Sequence, residues 1–176
     1  MNRLTRVYPV IASLIGVAFF MGCTDEATAP STLAFETARA EKRHFAACVP
    51  QTSASNSAWI GPKGGVLRAG GNVLKIPEGA LHRRVLITMQ TTRENINHVV
   101  FGPEGLVFNS NALPQLQMSY QNCSLPEGTE PQVVYVSQSL EMIEATPSSN
   151  DPATQTVSAK LSHFSDYVLS TYAVVY

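Results

Sequence analysis

From Ala58 to the C-terminus, apolar and polar positions alternate in short runs, broken every few residues by Gly, Pro, Asn or Asp. A period of two is a strand signal, because successive side chains of a strand point to opposite faces. Leu116, Met118 and Tyr120 share one face of their run, and Val134 and Val136 share one of theirs. The pattern predicts strands near 58–60, 65–68, 72–76, 85–90, 98–101, 106–108, 115–120, 132–137, 141–145, 154–161 and 167–175. Gly64-Gly65 and Gly70-Gly71 are expected to supply positive φ for tight turns at either end of 66–69. Pro77-Glu78-Gly79, Pro103-Glu104-Gly105 and Pro126-Glu127-Gly128 are three turns of one chemistry, with Pro presetting φ and Gly reversing the chain. Their flanks do not match, so they are not an internal repeat. Many short strands with frequent turn signals predict an all-β protein, an antiparallel β-sandwich over 58–176.

The first 57 residues read differently. Arg3 and Arg6 precede an apolar run over 10–21, and the small residue Gly22 stands just before Cys23. A charged start, an apolar middle and a small residue at the cut are what translocation and signal cleavage require. Phe20-Met21-Gly22-Cys23 resembles a bacterial lipobox, with Phe20 in place of the usual Leu and Met21 bulkier than the usual Ala or Ser. This resemblance implies a lipid on Cys23, which becomes the first residue of the mature chain. An ordinary signal cut nearby and an uncleaved anchor are the competing readings. The apolar run falls short of the ~20 residues that a spanning helix needs. Residues 24–32 are small and polar and read as a tether. The Ala, Glu, Arg and Lys of 33–47 predict a short helix. The expected organisation is therefore a signal peptide (1–22), an anchored cysteine with tether and helix (23–57), and a sandwich (58–176).

Composition narrows the function. Removing 1–22 takes away two arginines, so ten basic residues face 13 acidic ones. Nucleic-acid binding is not expected, since it needs clustered Lys and Arg. With Cys23 lipidated, Cys48 and Cys123 remain. In an oxidising compartment two leftover thiols pair, and a disulfide between them is expected. The alternative is two separate buried thiols.

No familiar catalytic or metal motif is present. His44, His82, His98 and His163 are not at ligand spacing with one another or with Cys, and no calcium loop occurs, so neither metal nor cofactor is expected. A G-x-S-x-G elbow is absent, and Gly61-Pro62-Lys63-Gly64-Gly65 lacks the ending of a phosphate loop. Trp59 and Tyr167 are expected in the core. Beyond the signal-like segment, the other tyrosines, Tyr120, Tyr135, Tyr172 and Tyr176, are candidates for core, edge cover or a recognition patch.

Four stretches, in order, resemble the ZU-five domain, a module named for the zonula occludens scaffold and a netrin receptor. They are Ile60-Gly61-Pro62-Lys63-Gly64-Gly65-Val66-Leu67, Leu74-Lys75-Ile76-Pro77-Glu78-Gly79-Ala80-Leu81, Phe101-Gly102-Pro103-Glu104-Gly105-Leu106-Val107-Phe108 and Leu161-Ser162-His163-Phe164-Ser165-Asp166-Tyr167. The resemblance covers about 58–170 and implies a β-sandwich that mostly binds other proteins. It also makes His163-Phe164-Ser165 a candidate self-cleavage site. Ser165 Oγ would attack the Phe164 carbonyl, with His163 or another base taking its proton. The resulting ester would then be hydrolysed, strain having helped to drive the shift. The plain alternative has Phe164 filling the core and Ser165 starting the last strand. The expected role is an exported lipoprotein, held at a cell or outer membrane by Cys23, with a non-catalytic protein-binding or structural module. Self-cleavage between Phe164 and Ser165, and a glycan- or wall-binding role, are the alternatives.

Overall fold

The computed structural model describes residues 43–174. The expected signal peptide, the expected lipid-bearing Cys23, the expected tether, most of the expected helix and Tyr176 lie outside those residues. The described chain forms two principal antiparallel sheets and contains no helix. The larger sheet runs in the order β11 (Met142–Ala145), β10 (Thr129–Val136), β14 (Asp166–Ala173), β7 (His98–Gly102), β6 (Val85–Thr91), β3 (Ser55–Ile60). The two residues of β1 (His44–Phe45) also pair with β14. The smaller sheet runs β12 (Ser148–Asp151), β13 (Thr156–Lys160), β8 (Gln115–Ser119), β5 (Asn72–Ile76), β4 (Gly65–Ala69). A third pairing joins β2 (Ala47–Cys48) to β9 (Cys123–Ser124).

The expected all-β sandwich-like fold is therefore what forms. Alternation buries one face of each principal sheet. Leu67, Leu74, Leu116, Met118 and Val157 from the smaller sheet meet Ile87, Met89, Val99, Val133 and Leu169 from the larger one in a single core cluster. A smaller cluster, Val134, Val136 and Val168, lies on the other side of β10 and β14 and is covered by Phe45, Ile96, Leu140 and Ala145.

β14 organises the larger sheet. One edge pairs with β10 throughout, Thr129 to Val136 against Ala173 to Asp166. The other edge is shared. Asp166, Tyr167 and Val168 pair with β7, whereas Ser170 and Thr171 pair with β1. The upstream segment thus completes a central strand, and Ala46 is buried there with its N–H donating to the Leu169 carbonyl.

The glycine turns follow their chemistry. Gly79, Gly105 and Gly128, the third residues of the three Pro-Glu-Gly turns, all have φ between 71° and 79°. Gly64, Gly70 and Gly71 are left-handed too, whereas Gly65 is an ordinary strand residue.

Four expectations need correction. Residues 43–47 are extended, not helical, because His44 and Phe45 find partners on β14 and Ala47 on β9. Strand pairing consequently begins upstream of residue 58. Trp59 is not in the core. It is 60% exposed, facing outward opposite Leu86, because its neighbours Ala58 and Ile60 take the inward positions. The stretch 106–108 makes one isolated bridge, Val107 with His163, and no strand. Tyr167 is buried as expected, at 2% exposure.

Candidate functional site

The four motif stretches pack in pairs. The first two interlock at their glycine turns. Gly65 pairs with Ile76, the Gly79 N–H donates to the Pro62 carbonyl at 2.8 Å, and the missing Cβ of Gly64 faces Ile76 O and Pro77. Pro77 cannot donate to a ladder, so β5 stops at Ile76. Ala80 and Leu81 then turn inward and are buried. The third and fourth stretches form a backbone ladder. Phe101 N–H donates to Ser165 O, Gly105 N–H to Phe164 O, Phe164 N–H to Leu106 O and Phe108 N–H to Ser162 O. Asn109 joins the two pairs, its N–H donating to Ala80 O and its Nδ2 to Gly79 O.

The candidate cleavage residues lie within this ladder. Phe164 is fully buried, stacked on Phe101 at 4.8 Å and edge-on to Phe108 at 4.9 Å. Its carbonyl oxygen takes the Gly105 N–H at 2.9 Å and lies 3.4 Å from His163 Nδ1. The His163 ring packs edge-on to Tyr135. Tyr167 donates its hydroxyl to the His163 carbonyl at 2.8 Å. Burial is the main cause that pushes the Tyr167 phenol well above its ordinary range, with Tyr135 and Glu144 adding to it. Ser165 is buried, and its Oγ has no hydrogen-bond partner among the described residues. None of the three residues has a positive φ. The site is a packed, hydrogen-bonded strand entry in which the imidazole faces a carbonyl and not the serine hydroxyl.

Cys48 and Cys123 do form the expected disulfide, 75 residues apart in sequence. They stand directly opposite one another across β2 and β9. Their amides donate elsewhere, Cys48 to Asn95 O and Cys123 to Tyr120 O. They are thus a pair without mutual hydrogen bonds, the kind whose side chains come closest. The bond ties the segment that carries β2 to β9 and the body of the sandwich.

His98, which is 6% exposed, has side-chain partners that ligand spacing does not reveal. Its Nδ1 lies 3.2 Å from Glu94 Oε2 and its Nε2 3.2 Å from Asp166 Oδ2. The Glu94–His98 spacing of four is visible in sequence. Asp166 joins them only because Val168 on β14 pairs with His98 on β7. The carboxylates sit on opposite sides of the ring, and no group of three His, Cys, Asp or Glu among the described residues is placed to hold a metal ion. His98 also borders a polar cavity of about 90 Å³ that the disulfide walls on one side, with Asn97, Ser119 and Asn122 around it.

Among known protein-family models none matches the chain, and among curated proteins no match is found.

Proposed function

We propose that this protein is an exported lipoprotein whose ZU-five-like sandwich serves a non-catalytic role, binding another protein or building the cell envelope. The observation that carries the reading is the Cys48–Cys123 disulfide. Such bonds persist in oxidising compartments, which agrees with the signal-like 1–22 and leaves Cys23 as the odd cysteine for lipid. The pairwise packing of the four motif stretches supports the module, since their glycines and prolines serve turns and the ladder occupies His163-Phe164-Ser165. The test is incorporation of labelled palmitate into the full chain expressed in an exporting bacterium. Label should enter the parent and not Cys23→Ser. Equal labelling of both, or none in either, contradicts the proposal.

One observation favours a second reading, self-cleavage between Phe164 and Ser165. Gly105 N–H and His163 Nδ1 flank the Phe164 carbonyl oxygen, where donors would stabilise the oxyanion formed by attack of Ser165 Oγ. The lack of a positive φ at His163, Phe164 and Ser165 and the absence of a base on Ser165 Oγ among the described residues favour the first reading.

A further inference from the structure

We propose that the outer face of the smaller sheet docks on the anionic headgroups of a lipid bilayer. Charge is sorted between the sheets. β4, β5, β8 and β13 carry Arg68, Lys75 and Lys160 and no Asp or Glu, and β12 adds only Asp151 at the far edge. The strands of the larger sheet carry Glu130, Glu144 and Asp166 and no Lys or Arg. A chain with more acidic than basic residues thus presents one cationic face.

Register makes that face specific. Val66 pairs with Lys75, Lys75 with Gln115, and Gln115 with Lys160, so the four form one row across the sheet. Two strand spacings separate the lysines, about 10 Å between backbones. All four residues are exposed, Val66 at 54%. Neither lysine, nor Arg68, pairs with a carboxylate among the described residues. Between the lysines runs a groove of about 400 Å³ with an apolar lining of Val66, Ile76, Pro77 and Leu113.

Cationic heads beside an apolar groove, on a broad sheet face, match a lipid phosphate with its glycerol and upper acyl carbons. The long lysine stems can cover the apolar lining while their ammonium groups reach phosphate. A free polyanion would meet the charge but leave the exposed Val66 without an apolar partner. This inference does not require a lipid on Cys23.

The test uses the full chain carrying Cys23→Ser, sedimented with phosphatidylcholine vesicles and with vesicles that also contain phosphatidylglycerol. The phosphatidylcholine arm reads any contribution from the apolar 10–21 segment. Each basic residue near an anionic surface contributes about fivefold in partitioning, so Lys75→Gln/Lys160→Gln should weaken the anionic-vesicle preference by about 25-fold. Added salt should weaken it too. Arg83→Gln/Arg84→Gln, in the exposed segment before β6, should leave it unchanged. Equal binding to both vesicle types overturns the proposal. So does a lysine double variant that binds like its parent, or binding to soluble heparin without binding to anionic vesicles.

Discussion

The backbone amide of Gly105 donates to the carbonyl oxygen of Phe164 at 2.9 Å, fastening a glycine turn to the largest fully buried side chain among the described residues. That bond and its neighbours in the ladder place Phe164 between Phe101 and Phe108. Phe164→Ala should therefore cost about 3–5 kcal/mol in urea unfolding. Ser165→Ala, which removes a hydroxyl with no partner among the described residues, should cost less than about 1 kcal/mol and leave the chain mass otherwise unchanged. A Ser165→Ala loss comparable to that of Phe164→Ala would contradict the packing account.

Two glycines of nearly equal φ separate conformational strain from crowding. Gly64 has φ 73° and its missing Cβ would meet Ile76 O and Pro77. Gly128 has φ 72° and nothing within 4 Å. Gly128→Ala should lose about 1 kcal/mol from the left-handed backbone alone. Gly64→Ala adds overlap with rigid backbone and should lose about 2–4 kcal/mol. Thermal unfolding of both variants measures the difference, and equal losses would show that the interlocking of the first two motifs is unimportant.

Reduction of Cys48–Cys123 opens a covalent loop of 75 residues of separation. Chain entropy puts the bond at about 3–5 kcal/mol. Cys48→Ser/Cys123→Ser should unfold at lower urea by that amount, and the parent in reductant should behave likewise. Matching midpoints for the oxidised and reduced protein would mean the clip contributes nothing to stability.

Tyr167 predicts an alkaline limit. Its phenol is held above the ordinary value, chiefly by burial, so the folded chain keeps a proton that the unfolded chain releases near pH 10. The unfolded state then binds fewer protons, and stability falls as pH rises above about 10. Below that range both states are protonated and Tyr167 adds no slope. Tyr167→Phe should flatten the alkaline decline and lose the bond to His163 O, about 1 kcal/mol at neutral pH. An unchanged alkaline slope in that variant would contradict the assignment.

Strand after strand was legible because each half-buried run alternates and ends at a turn residue. Asn72–Ile76 matches its expectation residue for residue, and the Pro-Glu-Gly turns take the left-handed φ that their glycines imply. What escaped lacks a local signal. β1, β2 and β9 are two residues long, and their pairing is decided by partners far along the chain. Trp59 was misassigned because size and apolarity point inward, whereas position decided: on the edge strand β3 its outward slot pairs with Leu86, and Arg84 stacks over the indole at 5.6 Å. At the candidate site the residues of the ladder were legible as motifs, but the partner of the His163 imidazole was not. The Cys48–Cys123 bond was readable from an even count of thiols, yet its place beside β1, completing a central strand, was not.

The most direct measurement is the intact mass of the full chain expressed in an exporting bacterium, denatured and without reductant. If the proposed function holds, the product is one unbroken chain beginning at Cys23, heavier than its polypeptide by the lipid and lighter by two hydrogens for the Cys48–Cys123 bond. Fragments meeting at Phe164/Ser165, or an unlipidated chain that retains Met1 and carries free thiols, would contradict it.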